Sequence, residues 1–398
     1  MRLAIYTHNL ADLGGIERVV REHLRIFAAR GVDCKVFGEA NCEVVLSVVG
    51  KLRNEKLKAF LQDFKPDYVI LHGVAHPAAK DDIAIAKELG LKTIVICHFS
   101  FPSAMLLDGD EYANRNFLEG VRGADMVATV SGIDAKWWRA IGCRAMHVQN
   151  PFVHPRNAGV GRQPDEAGIT NLLWVGRNAE QKQPNAALAV FTRLSEKIPN
   201  VHLTMVGGLD SGWNRIRKVA KKLGLDDKVT CWGQRDDLTE FWDKADLHLL
   251  TSVTESFCLV LAEAKAKGIP TAMFEIPFLE LVESKEGLIL APQGDIEGLA
   301  DKIAAVLANK PALEVLGKAA KKSLAPFNDD AVWASWQKIF VALESGDGGY
   351  EVPEDLKMIV AQQFFAWNRF CDKHLKLIQK KYLIRRIVSR IKRIFGVG

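Results

Sequence analysis

Short runs of β-branched and apolar residues alternate with stretches whose apolar positions recur at helical spacing, from residue 2 to about 325. A strand buried on both faces needs a continuous apolar run, and a helix lying on a sheet needs one apolar face. The pattern therefore predicts βα units around parallel sheets, an α/β fold. In the first half, strands are expected at Leu3–Thr7, Cys34–Phe37, Tyr68–His72, Thr93–His98, Met126–Val130 and Ala145–Gln149, with helices near 16–29, 53–64, 78–89, 112–122 and 133–141. These make one doubly wound domain, 1–150. The text PFVHPRNAGVGRQPDEAGIT is rich in Pro, Gly and polar residues and has no apolar period, so 151–170 reads as a linker. A second series follows over 171–328, with strands at Asn171–Val175, Leu203–Val206, Val229–Trp232, Leu247–Thr251, Thr271–Phe274 and Leu288–Leu290. A closing helix is expected at 329–345, then the breaker Gly346-Asp347-Gly348-Gly349 and a separate tail, 351–398.

The length of 398 residues fits two or three domains, and 48% apolar with 25% charged residues is ordinary for a folded soluble chain. No apolar run reaches the ~18–20 residues that span a bilayer. The opening MRLAIYTHN reads as a strand and not as a cleaved leader, so a cytoplasmic location is expected. The seven cysteines are scattered, with no C-x-x-C pair, and are expected to be reduced and mostly buried. Charge is unevenly placed: residues 373–398 hold nine Lys/Arg and no Asp/Glu, and taking those nine from the net +5 leaves −4 on the first 372 residues. A body of that sign is not a nucleic-acid surface. In the tail, Ile384, Ile387, Val388, Ile391, Ile394 and Phe395 recur at helical spacing against Lys380, Lys381, Arg385, Arg386, Arg390, Lys392 and Arg393. That is a basic amphipathic helix, suited to an anionic membrane surface at ~1 kcal/mol per cation. Packing on the chain's own body or on a partner is the alternative.

In open α/β sheets, ligands bind beyond the carboxyl ends of the strands, where Gly-rich turns lead into helix N-termini. Several expected strands end so: Leu3–Thr7 at Gly14-Gly15, Leu172–Val175 at Gly176-Arg177, Thr204–Val206 at Gly207-Gly208, and Leu247–Thr251 at Thr254-Glu255-Ser256. Two such edges face to face would make a phosphate-binding cleft. The text TSVTESFCLVLAEAKAKGIP predicts a helix from near Ser256 to Lys267, stopped by Gly268 and Pro270. On it, Glu263 would lie ~12 Å along the axis and ~80° around from Glu255. The backbone N–H groups of 256–258 would then point at an anion, and a nucleotide diphosphate sugar has the matching shape. The plainer alternative puts Glu263 on a solvated face, paired with Lys267, and makes Glu255 an ordinary first-turn acid.

Over about residues 1–345 the chain resembles glycosyltransferase family 4, whose fold is GT-B, two Rossmann-like domains facing a cleft. The family's E-x7-E signature usually reads E-G-F-G-L-V-x-x-E. Here it stands as Glu255-Ser256-Phe257-Cys258-Leu259-Val260-Leu261-Ala262-Glu263, with Ser256 and Cys258 in place of the two glycines. Gly14-Gly15-Ile16-Glu17-Arg18 is similar to the family's loop facing acceptor and diphosphate, and Gly176-Arg177 with Lys182 resembles its G-R-x-x-x-x-K.

The resemblance implies a retaining hexosyltransferase. Glu255 would hold sugar hydroxyls and Glu263 the ribose, with Ser256, Phe257, Cys258, Gly176, Gly207, Gln234 and Arg235 around the donor. Arg177 and Lys182 would neutralise the leaving diphosphate, a place that metals fill in other enzymes, so no metal and no cofactor is expected. His98, at the end of TIVICH, would approach the donor sugar or the acceptor hydroxyl; a structural strand-end histidine is the alternative. Asn150 and Ser131 resemble family positions too, and also fit an Asx turn and a helix cap. Asp108-Gly109-Asp110 imitates the D-x-D metal motif of another fold and reads as an acidic loop. The expected donor is a UDP-sugar ahead of a GDP-sugar, and the acceptor a glycan or lipid-linked glycan at the cytoplasmic membrane face. The rivals are a sugar-nucleotide 2-epimerase of the same fold and a non-catalytic subunit that recruits a partner transferase.

Overall fold

The computed structural model describes residues 1–346 except 12–13, 47–49, 74–77, 101–118, 153–167, 209–211, 236 and 277–278. The first sheet holds β1 (Arg2–Tyr6), β2 (Asp33–Gly38), β3 (Val44–Val45), β4 (Tyr68–Gly73), β5 (Lys92–Cys97), β6 (Met126–Thr129) and β7 (Ala145–His147), in the order β3-β2-β1-β4-β5-β6-β7. All its pairings are parallel. Among its helices are α1 (Gly15–Ala29), α2 (Lys51–Phe64), α3 (Ala79–Glu88) and α4 (Gly132–Ala140).

The second sheet holds β8 (Thr170–Val175), β9 (Val201–Val206), β10 (Val229–Trp232), β11 (Leu247–Leu250), β12 (Thr271–Phe274) and β13 (Leu288–Ala291), ordered β10-β9-β8-β11-β12-β13 and again parallel. Its helices include α5 (Pro184–Lys197), α6 (Trp213–Lys222), α7 (Thr239–Lys244), α8 (Leu259–Lys267), α9 (Ile296–Leu307) and α10 (Lys310–Lys322). Two doubly wound parallel sheets, as the hydrophobic pattern requires, thus form the body of the chain. In each sheet the strand order reverses beside the first strand, between β1 and β4 and between β8 and β11. A crevice opens at such a switch point because the crossovers leave on opposite faces.

The closing helix α11 (Asp329–Ser345) follows the second domain in sequence and packs against α1 and β6 of the first. Asn328 caps it, its side chain accepting from Ala331 N at 2.9 Å. The buried Val332, Trp336, Ile339, Phe340 and Leu343 form one helical face, each such side chain contributing roughly 1.5–3 kcal/mol. Trp336 meets His23 and Phe27 of α1 at 5.3 and 5.5 Å between ring centroids, and Phe340 meets Tyr68 at 4.7 Å. Arg25 clamps Asp329 through two 2.8 Å bonds.

Three expectations change. Strand β3 is two residues long and carries no period for a sequence to show. Helix α8 starts at Leu259 and not near Ser256, because Cys258 is left-handed, φ 69°, and ends the loop there. Of the cysteines, Cys97 and Cys258 are buried while Cys34, Cys42, Cys143 and Cys231 are only partly buried; all six are free thiols. Of the helix expected near 112–122 only 119–122 are described, and they are helical. Asp108-Gly109-Asp110, most of the 151–170 linker, the 351–398 tail and Cys371 lie outside the described residues. No helix among the described residues is long and apolar enough to cross a membrane.

Candidate active site

The carboxyl ends of both sheets enclose a cleft of about 920 Å³, in the range of small-molecule sites. Every residue expected at the site lines it except Glu263.

On the second-domain side, the loops after β8 and β11 are tied together. Trp174 Nε1 donates to Thr251 Oγ1 at 3.0 Å, and that hydroxyl donates on to the carbonyls of Lys182 and Gln183. Gln181 Nε2 reaches Thr254 O at 2.8 Å, and Val253 N reaches Gln181 O at 3.0 Å. This lacing brings Lys182 Nζ to 2.5 Å from Glu255 Oε1, both side chains largely buried. Burial works to lower the Lys182 pKa, and the Glu255 carboxylate outweighs it, so the ammonium stands above its ordinary value. Arg177 is exposed into the cleft beside them. Behind Arg177, Gly207 has φ 120° and lies so near Gly176 that a Cβ would sit 2.6 Å from the Gly176 carbonyl oxygen. Only glycine allows the ends of β8 and β9 to meet there. Gln234 and Arg235 border the same wall, with Arg235 over the Trp232 ring at 5.1 Å.

On the first-domain side, Gly14 and Gly15 open α1, and a Cβ on Gly15 would touch Leu259 across the cleft at 3.4 Å. His98, one residue past β5, lines the cleft, and burial pushes its pKa down to about 4. Asn150 lines it as well; its Oδ1 is buried with no partner among the described residues, so it forms no Asx turn there. Ser131 is the N-cap of α4 but makes no side-chain cap bond.

The two sides also touch directly. Ser256 Oγ donates to the His98 carbonyl at 2.6 Å, and Ser100 Oγ lies 3.1 Å from Thr254 Oγ1. Arg18, from the Gly14-Gly15 loop helix, pairs with Glu263. This last contact corrects the expected geometry. Glu263 is on neither a solvated face nor the cleft surface; it is 2% exposed beneath the cleft floor. Lys267, its supposed partner, pairs with Asp243 at 2.6 Å. Burial raises the Glu263 pKa, and Arg18 works against that rise. Glu255 and Glu263 also do not share one helix, since 255–258 precede α8, whose first residues Leu259 and Val260 line the cleft. Carbonyl bonding is already complete behind them, Cys258 O accepting from Leu261 and Ala262. Cys258 itself is an inert thiol, pushed up by burial.

Arg18 was visible in its motif but carried no assigned role, and its partner 245 residues away is a tertiary fact. His72 and His23, whose rings follow one another behind His98, fall within an expected strand and an expected helix and carried no assigned role.

Residues 167–323 match the family model described as Glycosyl transferases group 1. The chain is 30% identical over 177 residues to an exopolysaccharide phosphotransferase of Streptomyces coelicolor, covering 44% of this chain and 19% of that protein. It is 27% identical over 313 residues to a D-inositol 3-phosphate glycosyltransferase of Nocardiopsis dassonvillei, covering 65% and 73%. Among solved structures, HepE of Anabaena in complex with UDP-glucose superposes with a TM-score of 0.70 at 16% identity, over 86% of this chain and 100% of that one. The fold is GT-B, and the family match falls on its second domain.

Proposed function

We propose that the protein is a retaining glycosyltransferase that moves a hexose-type sugar from a nucleotide diphosphate sugar, a UDP-sugar ahead of a GDP-sugar, to a glycan or lipid-linked glycan in cell-surface polysaccharide or glycolipid assembly. The observation that carries this reading is the cluster of Arg177, Lys182 and Glu255 at the switch point of the second sheet, facing Gly14-Gly15 and His98 across one cleft. Two cations and the N-terminus of α8 stand where a departing diphosphate gathers charge, in a site shaped before the ligand arrives. Glu255, held beside Lys182, would bind sugar hydroxyls. Glu263, engaged by Arg18, would share itself between that arginine and the ribose.

In the reaction so read, the bond from the sugar anomeric carbon to the phosphate oxygen breaks. The acceptor oxygen bonds to that carbon on the same face, and the acceptor proton passes to the leaving phosphate. Arg177 and Lys182 supply the positive charge, and the step assigns no role to a metal. The basic tail, 373–398, would hold the chain at an anionic cytoplasmic membrane face, beside a membrane-borne acceptor.

Calorimetry with UDP-, GDP- and ADP-sugars, followed by nucleotide diphosphate release with and without a membrane-lipid extract, tests the reading. Selective donor binding with extract-dependent release is expected, and Glu255→Ala nearly abolishes release. Release of an epimer without any acceptor would replace transfer by epimerisation, and failure of every donor to bind would leave a non-catalytic subunit.

A further inference from the structure

His98 Nε2 lies 2.9 Å from Nδ1 of His72, on the neighbouring strand β4. The ring centroids are 5.1 Å apart and the planes differ by 19°, which with so short a nitrogen contact sets the rings edge to edge in nearly one plane. That is the geometry of a straight N–H···N bond. Burial holds both rings neutral, His98 down to about 4 and His72 well below its ordinary value. A neutral imidazole has one N–H and one bare nitrogen, so one ring donates in this contact and the other accepts.

The other nitrogen of His72 decides which. His72 Nε2 is buried with no partner among the described residues. If His72 accepted from His98, its own proton would sit on that nitrogen, an orphan N–H in the interior. If His72 donates, Nε2 is a bare lone pair, which interiors tolerate better. His23, whose ring lies 5.4 Å behind, has both nitrogens buried and unpartnered, and so carries one orphan N–H in either tautomer. Donation by His72 avoids a second.

We propose that His72 is a positioning residue: its Nδ1–H donates to His98 Nε2, which fixes the His98 proton on Nδ1 and presents His98 to the cleft as a hydrogen-bond donor, not a proton acceptor. The contact with His72 occupies the one lone pair His98 has. The ring can therefore stabilise a substrate oxygen but cannot take the acceptor's proton, which leaves the phosphate oxygen to do so. The part of the inference that concerns substrate rests on the glycosyl-transfer reading; the tautomer does not.

The test uses the full-length resting protein labelled with ¹⁵N at histidine. Long-range correlation of ring nitrogens with carbon-bound protons reports each tautomer, and His98→Gln assigns the signal by its loss. Wild-type His98 is expected with its proton on Nδ1. His72→Leu releases it to a mixture containing Nε2–H, while His72→Asn, whose amide nitrogen can donate from the place of Nδ1, keeps it. In the release assay, His72→Leu lowers kcat about 3–10-fold, the worth of one hydrogen bond, with little change in KM, and His72→Asn restores it. A wild-type proton on Nε2, or a tautomer unmoved by His72→Leu, overturns the proposal. Should His72→Leu not fold, wild type and His72→Asn still decide. A wild-type protein that releases no nucleotide under any condition counts against the transfer reading alone, since the tautomer is read without substrate.

Discussion

The wall of the cleft built by the second domain presents charge, Lys182 against Glu255 with Arg177 beside them. The wall built by the first domain presents, beside Glu17 and Arg18 of α1, His98 backed by His72 and His23, rings that burial keeps neutral. On the charged wall, two strand-end loops laced to each other hold the ions before a ligand comes, so an anion meets cations already in place. On the histidine wall, position comes from stacking strands and helices behind one ring, and a hydrogen bond replaces a charge. The two walls therefore answer to different stresses. Acid strikes the histidine wall, and loss of a counter-charge strikes the contact between the two.

Acid is expected to cost the most. His23 and His98 have folded pKa values of about 3 and about 4 against an unfolded 6.5, and His72 is lowered as well. Between those values the unfolded chain binds more protons than the folded one. The stability is therefore complete above about 6.5 and is lost as pH falls toward 4, by roughly 3 kcal/mol at most for His98. In the second domain His248, also about 3, and His202 act in the same direction, whereas Glu263 acts in the opposite one because burial raises its carboxyl. Hydrogen exchange at pH 7 and pH 5, corrected for intrinsic rates, is expected to show β4, β5 and α1 losing protection before β8 and β11. Earlier loss in the second sheet would show that the histidine wall is not the acid-sensitive one.

Removing a counter-charge comes next. Arg18→Met leaves Glu263 buried without its cation, and breaking such a pair costs about 3–5 kcal/mol. Arg18 is 30% exposed, and the carboxyl escapes part of the penalty by taking a proton, so the lower end, about 3 kcal/mol, is expected. Arg18→Met with Glu263→Gln recovers most of it. Urea midpoints of the two variants check this, and a loss under ~1 kcal/mol would class the pair with solvated surface bridges.

These contrasts also explain what the sequence could show. Parallel strands buried on both faces are continuous apolar runs, so TIVIC and LHLL announce themselves, and the turn glycines mark the strand ends that face the cleft. The charged wall was legible because Arg177, Lys182 and Glu255 follow such strands in short motifs. The histidine wall was legible only at His98, since a histidine inside YVILHG or on an apolar helix face looks like any core position. Glu263 was open to misreading because four residues before a lysine is the usual spacing of a solvated pair, and only tertiary packing supplies Arg18. The start of α8 was displaced because φ at one residue, Cys258, has no local sign in a cysteine.

Substitution of that residue should change stability least, and it tests how the charged wall is held. Cys258 occupies the left-handed region, φ 69° and ψ 75°, where a side chain costs about 1–2 kcal/mol and glycine costs none. Cys258→Gly relieves that strain. Against it stand the entropy glycine adds to the unfolded chain, about 0.4–1 kcal/mol, and the loss of a small side chain that is 6% exposed in the core, about 1 kcal/mol. The terms nearly cancel, so the thermal midpoint is expected to move by no more than the equivalent of about 1 kcal/mol. Cys258→Val adds β-branching to the same backbone and should lower stability by more than 2 kcal/mol, on the order of the largest local backbone strains. If valine were tolerated as well as glycine, the loop would have another conformation open to it. The lacing through Thr251, Gln181 and Thr254, rather than the turn at Cys258, would then be what keeps Glu255 against Lys182.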